Sequence, residues 1–443
     1  MNFFRSLYFT SRFWQALLGL VLFFVLAYVF PFLFGVAKIT AGILVGLVVV
    51  DAFLLYRIRK GVFARRELSE RLSNGDANLI VIYLQNFYPF ATKLEIIDEL
   101  PFQFQQRDVL FQTLLFPNQT QQLRYEIRPT KRGEYHFGAV NVFVKSPLHF
   151  LKRRYQFDLQ KMVAVYPSYL QMRQYELLAI SNRLTEIGIK RLRRLGHSME
   201  FEQIRPYVAG DDVRSINWKA TARRNDLMVN AFQDERSQAV YCLIDKGRMM
   251  KSPFEGLTLL DYAINATLVL SNIALLKQDR AGLMTFSEVI GQILPAERKA
   301  GQILKIMEVL YKQKTRYLES DYETLYIHTQ RQIRQRSLLL LFTNFETLNG
   351  LKRQLPYLRR MAKNHLLIVI FFENTETRQL LDTPARNTEE IYQKTIAERF
   401  YYEKKRIVKE LEQYGIQSIL TAPQHLTANT VNKYLELKAQ GRI

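Results

Sequence analysis

The chain has 443 residues and a formal net charge of +21, from 62 lysines and arginines against 41 aspartates and glutamates. This length exceeds one ordinary domain, so two or three folded units are expected. The positive charge is compatible with nucleic acid, an anionic membrane surface or an acidic protein partner, and the composition does not choose among them.

The first predicted elements are two membrane-spanning helices. No charged side chain occurs in residues 13–37, and a second apolar run follows at 39–56 after a short break around Lys38. Runs of this length cross a hydrocarbon layer of about 30 Å as helices. A cleavable signal peptide is shorter and has no second span. Residues 1–66 are therefore predicted to form a transmembrane hairpin.

Basic side chains flank both outer ends of this hairpin, and they are Arg5, Arg12, Arg57, Arg59, Lys60, Arg65 and Arg66. Positive charge marks the cytoplasmic side of a membrane protein. We therefore expect a multi-pass protein of the inner (plasma) membrane, with lipid as one partner and with both termini and the soluble domains cytoplasmic. Asp51 is an acid within the second span, where a carboxylate is a functional candidate. Its closeness to the basic flank favours the alternative that it reaches the membrane interface.

Residues 75–166 consist of short runs with alternating or β-branched character, such as LIVIYLQN and QQLRYEIRP, which turn residues separate. This pattern predicts a small antiparallel β-sandwich. Residues 167–236 are interpreted as a helical linker followed by a distinctive motif. The linker ends in a basic cluster that is either a solvated helix end or a contact for anionic lipid. The cluster comprises Lys190, Arg191, Arg193 and Arg194.

Strands and helices alternate through residues 237–443. Buried strands are predicted at AVYCLID, AGLMTF, SLLLLFTNF, HLLIVIFFEN and IQSILT, with helices between them. This alternation predicts an α/β fold with a doubly wound sheet that helices cover. The apolar neighbours of Cys242 predict a buried, inert thiol. Ligands of such sheets bind beyond the carboxyl ends of the strands, which places Asp245, Ser287 and Asn344 at the functional edge.

The distinctive motif is EFEQIRPYVAGDDVRSINWKATARRNDLMVNAF, from Glu200 to Phe232. It resembles the signature of the domain of unknown function 58 family, which combines an EF pair, an RxY, a GDxxRxIxW stretch and a KAxAR run. The upstream β-region and the two-span N-terminus resemble the family as well, so the resemblance extends over almost the whole chain. The matching signature residues are Glu200, Phe201, Arg205, Tyr207, Gly210, Asp211, Arg214, Ile216, Trp218, Lys219, Ala220, Ala222 and Arg223.

The resemblance implies a membrane protein with a von Willebrand factor A-like (Rossmann-like) domain that acts with a MoxR-type AAA+ ATPase as a chaperone or maturation system. The residues themselves allow two interpretations of the signature. It is either an internal network of salt bridges and packing, or a site at which Arg205, Arg214, Lys219 and Arg223 bind an acidic partner or ligand. Nucleic acid is not expected, because no reader motif accompanies the charge.

A von Willebrand factor A domain usually carries a metal-dependent adhesion site, with an Asp and two hydroxyls in a DxSxS turn and further oxygen ligands from other loops. In this sequence the turn keeps Asp245, but Gly247 and Met249 stand at the two serine positions. Asn344 stands where a second Asp is expected. We therefore expect this site to be degenerate and to hold no metal, and we expect no other cofactor.

The same turn supplies a candidate partner surface. Lys246 and Arg248 carry positive charge, and Met249 and Met250 offer adaptable apolar contacts. In this interpretation the ATPase docks at the carboxyl edge of the sheet. In the alternative interpretation, the methionines pack under the following helix and the basic side chains are only solvated.

The common enzyme motifs do not occur in the sequence, which has no Walker-type phosphate loop, HExxH, CxxC pair, GxSxG elbow or GxGxxG turn. We therefore expect a non-enzymatic, membrane-anchored adaptor that acts with the ATPase in protein maturation or envelope function. The alternative is an enzyme of envelope metabolism that uses the Arg/Asp-rich signature loop.

Overall fold

The structure is a computed structural model of the chain. It describes residues 3–105, 109–180, 199–209, 211, 213–224, 226–234, 237–385 and 387–442. The side chains of residues 3, 4, 180, 199–203, 214 and 231–234 lie outside this description. The chain divides into two compact units, Met1–Tyr166 and Pro167–Ile443.

The first unit begins with apolar helices. Helices α1, α2 and α3 are Phe3–Ser6, Ser11–Val29 and Phe34–Tyr56. Helix α2 ends where Pro31 begins a short 3-10 turn, because proline has no N–H and disfavours the helical conformation of the residue before it. The break therefore lies at residues 30–33, and Lys38 lies inside α3. The predicted spans, 13–37 and 39–56, are wrong in their inner boundaries.

Three helices in the described part of the chain are long and apolar enough to cross a membrane, and they are Ser11–Val29, Pro31–Tyr56 and Leu259–Leu276. Protein buries 6% of the apolar window in each of the first two helices but 83% in the third. An apolar helix that protein does not cover is suited to lipid. The two N-terminal helices are therefore the ones suited to a membrane anchor, and the third is a core helix.

The rest of the first unit is a β-structure. Its three sheets have the strand orders β1-β10-β9-β5-β6, β2-β4-β7 and β3-β11-β8. Strands β4 and β5 bury every second side chain, and the inward side chains of the first two sheets share one core. Neighbouring strands are antiparallel except for the parallel pair β3 and β11, which the prediction of an antiparallel sandwich did not include. The strands are β1 Leu7–Phe9, β2 Val62–Glu67, β3 Arg71–Ser73, β4 Asn78–Asn86, β5 Thr92–Asp98, β6 Leu110–Leu115, β7 Thr120–Ile127, β8 Gly133–Phe137, β9 Val140–Lys145, β10 Leu151–Phe157 and β11 Lys161–Tyr166.

Two of these strands lie inside residues 1–66, which the sequence assigned to the hairpin alone. Strand β1 pairs with β10, and strand β2 pairs with β4. Arg66 of β2 was expected to belong to the basic flank, but it is buried and pairs with Asp98. Its guanidinium also donates to the carbonyls of Gly138 and Leu159, at 3.0 and 2.7 Å. Burial raises the pKa of Asp98 even though this guanidinium lowers it.

Asp51 joins helix α3 to the β-structure. Its side chain is fully buried, and the Ser146 hydroxyl donates to its carboxylate. The backbone N–H groups of Leu148, Phe150 and Leu151 also donate to it, at 3.2, 3.1 and 3.3 Å. Protein therefore satisfies this carboxylate, and the position of Asp51 near the membrane interface stays a prediction.

The end of α3 and the start of α2 are held by the same part of the β-structure. Arg153 of β10 donates to the carbonyls of Leu55 and Ile58, at 2.6 and 2.8 Å, which satisfies acceptors at the end of α3. Thr10, the N-cap of α2, donates its backbone N–H to the Phe150 carbonyl at 3.0 Å. The loop 146–151 thus contacts both apolar helices.

The second unit contains a six-stranded sheet of order β18-β17-β14-β19-β20-β21. Its strands are parallel except for β18, which pairs antiparallel with β17 at one edge. The strands of this unit are β12 Met199–Pro206, β13 Met228–Asp234, β14 Ala239–Asp245, β15 Pro253–Phe254, β16 Leu257–Thr258, β17 Arg280–Phe286, β18 Ile290–Glu297, β19 Leu338–Phe342, β20 Leu366–Phe372 and β21 Gln417–Thr421. The helices are α4 Tyr169–Ile180, α5 Trp218–Arg224, α6 Leu259–Leu276, α7 Gln302–Tyr311, α8 Tyr322–Gln332, α9 Leu348–Asn364, α10 Thr375–Asp382, α11 Thr388–Gln413 and α12 Leu426–Ala439.

Helices cover both faces of this sheet. Tyr241 and Leu243 of β14 share a core with residues of α8, α9 and α11. Cys242 points to the opposite face, where it meets Thr267 and Ser271 of α6. The thiol is buried, as predicted, and burial raises its pKa to about 12. A protonated, enclosed thiol of this kind is inert.

Candidate functional site

The large sheet has a point at which its strand order reverses. Strands β17 and β18 lie on one side of β14, and β19, β20 and β21 lie on the other. In open α/β sheets, ligands bind in the crevice that this reversal creates at the carboxyl ends of the strands. A cavity of about 250 Å³ opens there, and its lining includes Asp245, Met249, Ser320, Tyr322 and Asn344.

Asp245 is the last residue of β14 and lines this cavity, and hydroxyl groups surround its carboxylate. The Ser320 and Thr343 hydroxyls donate to it, the latter at 2.7 Å. The Tyr322 hydroxyl lies 3.4 Å from the carboxylate, and the Gly247 N–H donates at 2.8 Å. Burial raises the pKa of Asp245, and these hydrogen bonds oppose that change. The carboxylate is therefore the buried centre of a hydrogen-bonding network.

Gly247 shows how this network relates to the degenerate adhesion site. A Cβ atom at position 247 would overlap the Ser320 hydroxyl and lie 3.1 Å from an oxygen of Asp245. Ser320 therefore occupies the space that a serine of the DxSxS turn would need. In the described part of the chain, no group of three or more His, Cys, Asp or Glu side chains is arranged to hold a metal ion.

The other predicted edge residues are engaged in separate contacts. Asn344 is buried, and the Lys404 ammonium donates to its side-chain oxygen at 2.6 Å. Ser287 is buried beyond the end of β17, and its carbonyl accepts the Asp321 N–H at 2.9 Å. Ser287 does not line the cavity around Asp245. The structure thus brings Asp245 and Asn344 together and leaves Ser287 apart.

The candidate partner surface at positions 246–250 requires a correction. Lys246 is only 8% exposed, and burial together with a neighbouring arginine lowers its pKa. Met250 is fully buried, and Met249 is half-buried. Arg248 is exposed, but its guanidinium lies 3.0 Å from the Glu319 carboxylate. Because the turn packs inward, it does not offer the mixed basic and apolar surface that the sequence predicted.

The family signature forms an antiparallel hairpin of β12 and β13, with α5 between them. Arg205 binds Asp211 through two parallel hydrogen bonds of 2.8 and 2.6 Å. The Val208 N–H also donates to Asp211, at 3.0 Å. The bond from Arg205 lowers the pKa of Asp211, and the same bond raises the pKa of Arg205. This pair is an internal salt bridge of the kind that the first interpretation of the signature predicted.

Other signature residues are not part of an internal network. Trp218, at the start of α5, is 68% exposed, and Val208 and Val213 are 61% and 64% exposed. Lys219 and Arg223 are also exposed, and within the described residues no carboxylate lies within 4.0 Å of either. We call residues 204–230, which contain these side chains, the signature element.

The remaining signature residues have mainly backbone roles or lie outside the description. Ile216 forms an isolated bridge with Val229. The Tyr207 N–H donates to the Leu227 carbonyl at 2.8 Å. The side-chain oxygen of Asn217 caps the start of α5 by accepting the Ala220 N–H at 3.0 Å. Ala222 is exposed. The structure does not describe Gly210 or the side chains of Glu200, Phe201 and Arg214. The basic cluster of Lys190, Arg191, Arg193 and Arg194 also lies outside the described residues.

Sequence reasoning missed the hydroxyl donors of Asp245. Thr343 directly follows the buried strand β19, so its position at the carboxyl edge was open to prediction. Ser320 and Tyr322 come from the segment that leads into α8, some 75 residues away from Asp245 in the chain. No local pattern in the sequence marks such a long-range contact.

Comparison with known proteins locates a family within this unit. Residues 203–389 match the family model of Protein of unknown function DUF58. The match begins after the β-rich first unit, whereas the resemblance seen in the sequence included that unit as well. Uncharacterized protein YeaD of Bacillus subtilis (strain 168) is 28% identical over 200 residues, which are 43% of this chain and 49% of YeaD. The chain thus spans about half the length of this curated relative.

Solved structures with some likeness include BatB from Bacteroides thetaiotaomicron, with a TM-score of 0.29, 12% identity and coverage of 46% of this chain and 100% of that one. The CARDB domain of the PF1109 protein from Pyrococcus furiosus gives a TM-score of 0.18 at 13% identity, over 24% of this chain and 91% of that domain. At these scores the likenesses carry no argument about fold or function.

The matched range contains most of the signature, the Asp245 crevice and the central strands of the sheet. The match with the family model and the distant relationship to YeaD point to the same family. These matches therefore support the DUF58 family for residues 203–389, which are less than half of this chain.

Proposed function

We propose that this chain is a membrane-anchored, non-enzymatic interaction protein that binds a MoxR-type AAA+ ATPase through its signature element. The observation that supports this most is the exposure of Trp218 beside Lys219 and Arg223, which have no carboxylate within 4.0 Å among the described residues. Buried aromatic and arginine side chains dominate the binding energy of protein interfaces. A signature tryptophan that lies in solvent is therefore suited to become buried by a partner.

The charge of the signature element favours an acidic partner. Lys219, Arg223 and Arg224 follow Trp218 on α5 and are all exposed. A patch of one sign raises the association rate with a surface of the opposite sign and disfavours other partners. We therefore propose that the docking surface of the ATPase is acidic around a pocket for an aromatic ring.

We further propose that the second unit has a von Willebrand factor A-like fold. Numbered by their order in the chain, the strands of the large sheet run 3-2-1-4-5-6, with an antiparallel edge strand. The reversal at β14 places Asp245 where such a fold would carry its adhesion site. In this proposal the hydroxyls of Ser320 and Thr343 bind the carboxylate in place of a metal ion.

The membrane anchor is proposed to be the hairpin of α2 and α3, in the plasma membrane, with both termini cytoplasmic. The basic flanks support this orientation. The pairing of β1 with β10 adds a geometric argument, because it holds residues 7–9 in the same sheet as the β-structure that follows α3. A reporter fused after Ile443 is expected to be active only as a cytoplasmic protein, and activity of an exported phosphatase at that position would contradict the orientation.

The partnership is tested by capture on the full chain in lipid nanodiscs. A purified MoxR-type ATPase encoded in the same genome should bind the wild-type chain. Trp218→Ser combined with Lys219→Glu and Arg223→Glu should weaken capture by about tenfold or more, the loss expected when a hot-spot residue is removed.

The matched control carries the same changes elsewhere on the second unit. Tyr392 of α11 is 69% exposed, and Lys312 and Lys409 are exposed. Tyr392→Ser combined with Lys312→Glu and Lys409→Glu gives the same change of charge and should leave capture unchanged. Equal capture by the two triple variants, or no capture by the wild-type chain, would contradict the proposal.

The alternative from the sequence is an enzyme that uses the signature loop. In the structure Arg205 and Asp211 bind each other. Hydrolysis of ATP by the purified full chain, lost in Asp211→Asn, would overturn the adaptor proposal.

A further inference from the structure

A second cavity, which shares Asn344 and Glu346 with the Asp245 crevice, lies at the carboxyl ends of β19, β20 and β21. Its volume is about 300 Å³, which is at the lower end of the range for small-molecule sites. Apolar side chains form much of its wall, and they include Pro253, Phe254, Leu259, Phe372, Phe400 and Leu420. A cavity with this lining is suited to a small ligand with an apolar body.

Among the described residues, Lys404 of α11 is the one cationic side chain that lines this cavity. Its ammonium donates to Asn344 at 2.6 Å and lies 5.8 Å from the ring centroid of Phe371. Within the described residues no carboxylate lies within 4.0 Å of it, so no ion pair compensates this cation. Burial lowers its pKa to about 8, and the more distant Glu346 only partly opposes that effect.

Carboxylates lie at the rim of the same cavity. Glu346 and Glu376 are exposed, and Glu373 is half-buried and lies 3.6 Å from the Arg378 guanidinium. The cavity therefore has a cation in its wall and acidic groups at its opening. A simple anion would meet repulsion at the rim, and a simple cation would meet Lys404 inside.

We propose that this cavity binds a small zwitterion with an apolar body, whose carboxylate pairs with Lys404 and whose ammonium pairs with Glu346. This is the chemistry of a free amino acid with an aromatic or aliphatic side chain. The ligand carboxylate replaces the water that Lys404 has lost, and the aromatic wall covers the side chain of the ligand. This proposal does not depend on the ATPase.

The test is calorimetric titration of the full chain in nanodiscs with L-phenylalanine and L-leucine. Saturable binding of at least one of them is expected. L-Phenylalanine amide lacks the carboxylate and N-acetyl-L-phenylalanine lacks the ammonium, and each should bind about tenfold more weakly or worse. No saturable binding up to roughly 10 mM, or equal binding of the amide, would overturn the proposal.

Variants connect the binding to the two charged residues. Lys404→Gln keeps a donor for Asn344 and should weaken L-phenylalanine about tenfold, whereas Lys405→Gln, an exposed neighbour on α11, should not. Glu346→Gln alters only an exposed rim side chain, so its folding is secure, and it should weaken the zwitterion but not the N-acetyl compound. Unchanged binding in both Lys404→Gln and Glu346→Gln would place the ligand elsewhere.

The pH dependence gives an independent signature. The titratable groups that line the cavity with Lys404 are Glu346, Glu373, Glu376 and Tyr401. A bound carboxylate favours the ammonium and raises the pKa of Lys404, so affinity is full below about pH 8 and falls as the pH rises above it. Lys404→Arg should remove the loss of affinity that begins near pH 8 and leave only the loss that follows deprotonation of the ligand's own ammonium at higher pH. An unchanged onset near pH 8 in that variant would contradict the role of Lys404.

Discussion

Replacing Asp51 with alanine is expected to destabilise the first unit and to loosen the loop 146–151. In the wild-type chain the carboxylate accepts four hydrogen bonds inside the protein. The Leu151 N–H keeps a second acceptor, the Ser146 hydroxyl at 3.2 Å, and that hydroxyl keeps the Leu151 carbonyl at 2.9 Å. The Leu148 and Phe150 N–H groups lose the carboxylate. At about 1–3 kcal/mol for each unsatisfied donor, the expected loss is about 2–6 kcal/mol.

The assay is thermal unfolding of the full chain in nanodiscs, combined with hydrogen exchange at the loop amides. Exchange at Leu148 and Phe150 should accelerate most, because those amides lose the carboxylate. Thr40→Ala is the control, since Thr40 is a polar residue of the same helix whose hydroxyl donates to the Val36 carbonyl, at 2.9 Å. If Asp51→Ala unfolded like Thr40→Ala and left loop exchange unchanged, Asp51 would not hold the loop.

Three further results are expected. We expect calorimetry of the full chain to detect no stoichiometric Mg²⁺ binding that depends on Asp245, because hydroxyl groups already donate to its carboxylate. A sub-millimolar Mg²⁺ site that Asp245→Asn abolishes would contradict this expectation. Burial raises the pKa of Asp245 above 3.8, so its contribution to stability is greatest at low pH and declines as the pH rises through the raised pKa. Asp245→Asn should lack that slope in unfolding free energy measured against pH, and an identical slope would refute the assignment. Arg66→Met should cost about 3–5 kcal/mol of unfolding free energy, because it leaves the buried Asp98 carboxylate without its cation, whereas Arg66→Met with Asp98→Leu should recover most of the loss. Failure of the double variant to recover would mean that packing, or the hydrogen bonds from Arg66 to the Gly138 and Leu159 carbonyls, explains the effect rather than the pairing with Asp98.

Strands buried on both faces were well predicted from the sequence. β14, β17, β19, β20 and β21 are short apolar runs between helical segments, and each is a strand at the predicted place. Such apolar runs indicate strands because the sheet buries nearly every side chain along β14, β17, β19 and β20, whereas β21 at the edge of the sheet is mostly half-buried. The edge strand β18 was not predicted, since its half-exposed pattern and Pro295 resemble a loop.

Charged residues in buried positions were the main source of error. Arg66 and Lys246 were interpreted as solvated, and the internal partners of Asp51 were not predicted, because a charge in a sequence is usually in water. Their partners come from distant segments, such as Asp98 for Arg66 and the loop 146–151 for Asp51. Long-range pairing of this kind leaves no trace in local composition.

The signature element shows a further limit of prediction from the sequence, because here an exposed residue was not predicted. The sequence allowed either an internal network or a binding surface, and the described residues contain some of each. Arg205 and Asp211 are close enough in the chain for their pairing to be an expected local contact. The exposure of Trp218 was not predictable, because a tryptophan in a sequence is more often buried than free.

The contacts of Asp51, Thr10 and Arg153 affect how the membrane anchor would respond to proteolysis. The covalent link between α3 and β2 is the short segment 57–61. A protease that cut this segment would not release the β-structure, since β1 would remain paired with β10 and α3 would remain bound to the loop 146–151. Shedding of the body from the membrane would require these noncovalent contacts to unfold as well.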